Sequence, residues 1–358
     1  MDVVAPPLEA HPSTGITISE DMIKTAVVIL NYNGRQHLER FLQSVVTNTP
    51  DEVRIIVADN GSTDDSLIWL KQEKYFSRVE TIVMDQNYGF AGGYNRALRE
   101  IDAECFVLLN SDVEVTQGWL EPLVATLTNN PKVAAVAPKI LSVTTPSQFE
   151  YAGAAGGFID VLGYPFCRGR ILSTIEQDNG QYDTKREVFW ASGAAFCCRA
   201  DIFRRVGGFD ADFFAHMEEI DLCWRMQLAG YKIMVEPKSV VYHLGGGTLP
   251  NESPRKLYLN YRNNLSMLFK CSPTWQRVLV AVLRPVCDMV SVAIYLLKGE
   301  FALAKATLLA YRDFILLHKT LSTKRKEIRA SAIGEADMIY RGSIVLRYII
   351  YRKFGRMM

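Results

Sequence analysis

Several short polar clusters in this chain carry the residue types that metal, phosphate and proton-transfer chemistry require. Asn110-Ser111-Asp112 follows the apolar run at 105–109, so the Asp112 carboxylate falls at the end of a buried strand. A hard divalent cation takes oxygen ligands and keeps positions open for substrate phosphates, so Asp112 together with a diphosphate could hold Mg²⁺ or Mn²⁺. A turn with an Asp cap fits the same residues. Asp59 ends the run at 54–60 and could accept the imide N–H of a uracil or thymine base. It could equally close a local Asx turn with Gly61, and Ser62 or Asp64 suits a helix cap. Asn87-Tyr88-Gly89-Phe90-Ala91-Gly92-Gly93 opens a helix whose N-terminus favours anions, with Arg96 one turn in. Glu218, Glu219 and Asp221 form a dense acidic run beside Trp224 and Arg225, which are candidate substrate-binding residues. At helical spacing their like charges repel unless a cation or proton relieves them, which makes one of them a candidate general base with a raised pKa. A solvated acidic face partly neutralised by Arg225 is the rival reading. His243 follows an apolar strand, where a neutral imidazole can ligate a metal or serve as a structural histidine.

These clusters need a scaffold, and the apolar periodicity supplies one. Short continuous runs at 26–30, 54–60, 79–84 and 105–110 read as buried strands. Helices are expected at about 36–47, 64–72 and 92–100 between them. Such alternation predicts an α/β fold with a mostly parallel central sheet flanked by helices. Ligands of such sheets bind beyond the carboxyl ends of the strands, where the polar clusters fall. Residues 141–190 show no period and read as loops and short strands; 232–237 reads as a further strand.

Charge divides the chain. Residues 271–358 hold 15 basic and 6 acidic residues, a net of +9, against −8 for residues 1–270. Residues 276–297 are strongly apolar but carry Arg284, Pro285 and Asp288 mid-run, which a clean membrane span rarely tolerates. The stretch 276–358 therefore reads as amphipathic helices at a membrane surface, with a helical domain packed on the catalytic core as the alternative. Interleaved apolar stretches favour lipid over nucleic acid as partner of the basic tail. Residues 1–22 read as a poorly ordered leader without signal-peptide features, 23–270 as the catalytic domain and 271–358 as the helical region. Seven cysteines without C-x-x-C or zinc spacing suit a reduced compartment.

The clusters gain meaning from their order. VILNYNG, VADNGSTDDS, NYGFAGGYNRAL, LLNSDVEV, GGFDADFFAHMEEIDLCWRMQLAGYK and VYHLGG occur in that succession. The chain thereby resembles family 2 glycosyltransferases of the GT-A (Rossmann-like) fold over about residues 24–270, in particular the bacterial rhamnosyltransferase-like branch that builds cell-surface polysaccharide. The helical C-terminus resembles the tails of membrane-associated members. The resemblance implies an inverting transfer from a dTDP- or UDP-sugar to a glycan or lipid-linked acceptor. It implies a location in the bacterial cytoplasm, peripheral or monotopic on the inner membrane. It makes Asp59 the base-binding aspartate, with Asn31 and Tyr32 beside the nucleotide. Gly92, Gly93, Asn95 and Arg96 match the helix start lining the donor site. Asn110 and Asp112 stand at the D-x-D motif, the first Asp replaced by Asn, and Asp112 is matched as metal ligand with His243. Trp190, Ser192 and Gly193 match a segment on the acceptor side. The family's Glu-Asp-x-Asp reads Glu218-Glu219-Ile220-Asp221 here, which keeps the carboxylate one methylene further out. A sugar nucleotidyltransferase is a rival enzyme class, but NYNGRQHLE is not its glycine-rich, basic triphosphate loop. A GT-A-fold binding module without activity is the rival outside the enzymes.

Overall fold

The computed structural model describes residues 23–72, 77–245 and 253–354. The leader expected over residues 1–22, Gly246 and Gly247 after His243, and residues 355–358 of the basic tail lie outside them.

The first strands alternate with helices: β1 (Thr25–Asn31), α1 (Arg35–Asn48), β2 (Arg54–Asp59), α2 (Ser66–Gln72), β3 (Val79–Val83), α3 (Gly89–Glu100) and β4 (Cys105–Asn110). There follow β5 (Val113–Val115), α4 (Glu121–Thr128) and β6 (Val133–Ser142). Five short strands come next: β7 (Gly157–Asp160), β8 (Pro165–Cys167), β9 (Arg170–Ile171), β10 (Thr174–Ile175) and β11 (Arg186–Val188). The domain continues with β12 (Ala195–Arg199), α5 (Ala200–Arg205), α6 (Glu218–Leu228) and β13 (Lys232–His243). The C-terminal part is α7 (Pro254–Cys271), α8 (Thr274–Leu297), α9 (Phe301–Leu316), α10 (His318–Ser331), β14 (Ile339–Tyr340) and α11 (Ile344–Phe354).

The central sheet runs β11-β13-β6-β12-β4-β1-β2-β3, with β5 on β13. The block β4-β1-β2-β3 is parallel, as the alternation predicts. β12 is antiparallel to both β4 and β6, and β11 and β5 are antiparallel to β13. That half of the sheet is mixed, because β12 and β11 enter from the 141–190 segment instead of from crossover helices. The same segment forms a second sheet, β10-β9-β8-β7-β14.

Helices on both faces explain the unbroken apolar runs. Alternate residues of β1 enter opposite cores: Ala26 and Val28 on one side, Val27 and Ile29 on the other. α1 buries Leu38, Phe41, Leu42 and Val45, a helical stripe. α3 begins three residues earlier than its glycine pair suggests, because Gly89 takes the positive φ (72°) that turns the chain into the helix.

α8 is inverted relative to a surface helix of a soluble domain. Its polar residues Gln276, Arg284 and Asp288 are buried, whereas Val278, Val282, Val286 and Val290 are more than half exposed. Arg284 Nε lies 3.2 Å from Asp288 Oδ2, and its Nη1 donates to Leu162 O (2.9 Å) and Asn264 Oδ1 (2.7 Å). The hydroxyls of Tyr164 (2.9 Å) and Tyr311 (2.6 Å) donate to Asp288. Every charge in the middle of α8 is thus paired inside the protein, as a desolvated charge requires.

Candidate active site

The strand ends bring the predicted groups to one edge of the sheet. Asn31 and Asp59 are register partners on β1 and β2, and both are buried. Asn31 Nδ2 donates to Asp59 Oδ2 (3.0 Å) and Ser62 Oγ (3.2 Å), and the Ser62 amide donates to Asp59 Oδ1 (2.9 Å). Asp59 therefore closes a local turn, through the amide three residues on and not the second-residue bond of an Asx turn. Each carboxylate oxygen retains a free lone pair, and Asn31 Oδ1 is buried without a partner, so acceptors remain for a base N–H. Asp64 caps α2 through the Ser66 amide (3.1 Å) and also accepts the Arg35 amide (3.0 Å). Tyr32 is exposed beside them.

The start of α3 differs from the anion-binding expectation. Its first amides already have protein partners: Gly89 N–H donates to Asn87 Oδ1 (2.8 Å), and those of Phe90 (2.7 Å) and Ala91 (3.2 Å) donate to Phe214 O. Gly93 allows close packing, since a Cβ there would stand 2.9 Å from Leu30 Cδ1 and Asn60 Nδ2. Asn95 is committed to the backbone of Phe209 through both ends of its amide. Gly92 is partly exposed, and Arg96 is exposed with its guanidinium 3.6 Å above the Tyr88 ring. Asn60 joins β2 to this loop through Asn87 Oδ1 (3.1 Å), Gly89 O (2.9 Å) and the Tyr88 amide (3.0 Å), a role that no local sequence pattern indicates.

Asp112 and His243 meet because β5 pairs with β13 so that His243 stands opposite Val113. His243 Nε2 is 3.2 Å from Asp112 Oδ1 and 3.5 Å from Asn110 Nδ2. Its Nδ1 lies 3.3 Å from Glu150 Oε2, off hydrogen-bond geometry. Burial alone would lower the imidazole pKa, but the two carboxylates push it up to about 10. Burial would raise Asp112, and the hydrogen bond and charge of His243 outweigh it, holding that carboxyl below its ordinary range. Glu150 lies in the aperiodic 141–190 segment, so nothing in the sequence pattern pointed to it. A cleft of about 270 Å³ opens beside His243, Glu150 and Lys256. Among the described residues no group of three or more His, Cys, Asp or Glu is arranged to hold a metal. Asp112 and His243 fit Mg²⁺ or Mn²⁺ only where a donor diphosphate completes the coordination.

The acidic run divides by environment. Glu218 is buried and Glu219 partly so, and the Oε2 of each is buried without a hydrogen-bond partner. Burial pushes the Glu219 carboxyl up to about 7. Burial, then the neighbouring charges of Glu219 and Asp221, push the Glu218 carboxyl well above its ordinary range. Asp221 does not join them: fully buried, it faces Arg225 Nε (2.8 Å) and Lys270 Nζ (2.9 Å). Trp224 is fully buried against Phe189, and Arg225 is turned to Asp221 and Val206 O. These three side chains are committed to the core, so the expected roles of Asp221 as base and of Trp224 and Arg225 in substrate binding are not supported by their placement.

Two residues bridge the acids and the Asn110 strand. A Cβ on Gly193 would lie 3.9 Å from Glu219 Cβ, and Ala194 O accepts the Asn110 amide (3.0 Å). Ser192 donates to Ala152 O, two residues from Glu150. Trp190 is buried, with Nε1 on Phe158 O (3.0 Å) and its ring where any Gly157 side chain would be. Segment 190–194 thus braces the site from behind. His216, another group missed by pattern, has a buried, unpartnered Nε2 and a pKa lowered to about 4 by burial and by Lys256.

The layered α/β fold of this topology is that of the GT-A glycosyltransferases. The sequence profile described as glycosyl transferase family 2 matches residues 26–207, and the chain belongs to that family. The matched segment ends before the acid pair and His243. The chain is 28% identical over 269 residues to N-acetylglucosaminyl-diphospho-decaprenol L-rhamnosyltransferase of Mycobacterium tuberculosis, covering 70% of this chain and 86% of that one. It is 29% identical to pre-mycofactocin glycosyltransferase of the same species, over 61% of this chain and 42% of that one. Among solved structures it resembles GalNAc-T7 with UDP, GalNAc and Mn²⁺ (TM-score 0.55, 18% identity), covering 70% of this chain but 48% of that one. It also resembles the Pyrobaculum calidifontis mannosyltransferase PcManGT with GDP-Man and Mn²⁺ (TM-score 0.51, 14% identity), covering 87% and 86%.

Proposed function

We propose that this glycosyltransferase moves a sugar, with inversion, from a nucleoside-diphosphate donor to a lipid-linked acceptor at a membrane surface, with Glu219 as general base. The observation that carries the reading is the pair of buried, partnerless carboxylate oxygens of Glu218 and Glu219 beside Gly193. Burial raises both carboxyls, Glu219 to about 7, near the pH where a general base is most effective, and Glu219 is also the less buried of the two and packs against Gly193. It takes the proton of an acceptor hydroxyl; that oxygen bonds to the anomeric carbon as the bond to the diphosphate breaks, the electron pair leaving on phosphate. Asp59 and Asn31 hold the base, with Tyr32, Gly92 and Arg96 flanking the donor. Asp112 and His243 would hold Mg²⁺ or Mn²⁺, which when bound offsets charge on the leaving diphosphate. His243 must first release its proton, which Asp112 and Glu150 otherwise retain.

The mycobacterial relative's name supports a deoxysugar donor such as dTDP-rhamnose and a polyprenyl-diphosphate acceptor. The membrane surface is supported by α8, which is long and apolar enough to cross a membrane by length and composition, with 22% of its most apolar window buried. Its buried Arg284 and Asp288 favour lying in the interface, apolar face in lipid, with exposed Lys298, Lys305, Arg312 and Lys319 nearby in sequence for anionic headgroups. The cytoplasmic face of a bacterial inner membrane suits such a donor and acceptor. Thermal melts with UDP, dTDP, GDP and CDP, each with and without Mn²⁺, test the reading. A metal-dependent shift with one nucleotide, lost in Asp112→Ala, is expected. No shift with any nucleotide in folded protein would refute it.

A further inference from the structure

The backbone entering the acid pair is strained. Phe214, His216 and Met217 have φ of 62°, 71° and 72°, in the left-handed region that is costly for residues with a Cβ. Met217 is the N-cap of α6, and the next residues are Glu218 and Glu219. Such conformations persist only where their surroundings impose them. On one side, α3 donates the Phe90 and Ala91 amides to Phe214 O. On the other, the fully buried Asn263 of α7 aims Nδ2 at three carbonyls: Phe213 (2.9 Å), Ala215 (2.9 Å) and His216 (2.8 Å). Its Oδ1 accepts from Arg262 Nε (2.9 Å) and Nη2 (2.7 Å), which fixes the orientation of the amide. Neighbouring Asn264 donates to Gly163 O (2.8 Å) and lies 3.9 Å from Met217 Sδ.

We infer that Asn263 is a positioning residue for the transfer: by gathering the carbonyls of residues 213, 215 and 216 it holds Met217 left-handed and thereby sets where the Glu218 and Glu219 carboxyls stand. An amide suits this place. A carboxylate would turn acceptors toward acceptors, and an alkyl group would take the side-chain donor from the carbonyls of Ala215 and His216, whereas Phe213 O would keep the Ala215 amide (2.7 Å) and Arg262 Nη2 (3.3 Å). Asn263 lies beyond the segment matched by the family profile, and it touches neither acid directly. The inference rests on the assignment of the base to α6.

The test is steady-state release of nucleoside diphosphate from a panel of dTDP-, UDP- and GDP-sugars by the full chain. Asn263→Ala, Asn263→Asp and the milder Asn263→Ser, which keeps one donor, are compared with wild type from about pH 5.5 to 9. Displacing a catalytic group by about 1 Å costs on the order of 100-fold, so kcat should fall by about that factor in the first two variants and less in Asn263→Ser. Donor KM should stay within about threefold of wild type. The acid limb of the pH profile should move down as the loosened site admits water to Glu219. Adding Met217→Gly to Asn263→Ala should recover part of kcat, because glycine adopts positive φ without penalty. Wild-type kcat and an unmoved acid limb in folded variants would overturn the inference. So would a loss of kcat that only tracks the folded fraction, including in Asn263→Ser if the other two do not fold. Should Glu218→Gln and Glu219→Gln both retain turnover, the base assignment itself fails, a result distinct from failure of the Asn263 variants alone.

Discussion

Glu219→Gln should stabilise the protein above neutral pH while removing its turnover. The site raises the Glu219 carboxyl from 4.5 to about 7, because the carboxylate is packed away from water with one oxygen unpartnered. Between those values the folded protein binds more protons than the unfolded chain, so stability falls as pH rises through the window and levels off above about 7. A tenfold change in proton affinity is worth about 1.4 kcal/mol, so the ionised side chain costs the fold roughly 3 kcal/mol by about pH 8. Glutamine has the same shape without the charge, and its buried amide forgoes about 1 kcal/mol of hydrogen bonding. The variant should therefore unfold with about 1–2 kcal/mol more than wild type at about pH 8, a rise of a few degrees in Tm, and with no such advantage at about pH 4.5. Calorimetric scans of both proteins at the two pH values read this directly. In the same preparations kcat should fall by about 10²–10⁴-fold, and the wild-type acid limb should lie near pH 7. An equal Tm difference at both pH values, or a less stable variant at the higher one, would refute the reasoning that Glu219 is a strained, ionisable group.

Three further outcomes are expected. Asp112→Asn should abolish the Mn²⁺-dependent part of a nucleotide-induced Tm shift, read by thermal scanning against the variant's own melt without ligand. Arg284→Met alone should strand the buried Asp288 carboxylate and cost about 3–5 kcal/mol, whereas Arg284→Met with Asp288→Leu should recover most of it, read by urea unfolding. Val282→Asp with Val286→Asp, on the exposed face of α8, should release the protein from anionic phosphatidylglycerol vesicles in co-sedimentation at unchanged Tm; retained binding would move the lipid surface elsewhere.

Much of the scaffold was legible from residue types alone. The runs around Val28, Ile56 and Leu108 are apolar on every position, and a strand of that kind must have both faces covered, which dictates helices above and below it. The strand-end placement of Asp59 and Asp112 followed from the same pattern, and the order of the motifs identified the family. Local pattern could not say which of three neighbouring acids would be taken up by an internal cation. Asp221 is neutralised by Lys270 of α7, far along the chain, while Glu218 and Glu219 lack any such partner. Nor could it find Glu150 behind His243, the Asn263 clamp on a left-handed backbone, or the use of the α3 amides by Phe214 O. Arg284 and Asp288 read in sequence as interruptions of an apolar helix; folding turns them inward and leaves the apolar face outside. Periodicity and composition report what each segment buries, since burial depends on side chains a few residues apart. Ionisation, strain and pairing depend on groups brought together from distant parts of the chain, and only the tertiary structure decides those.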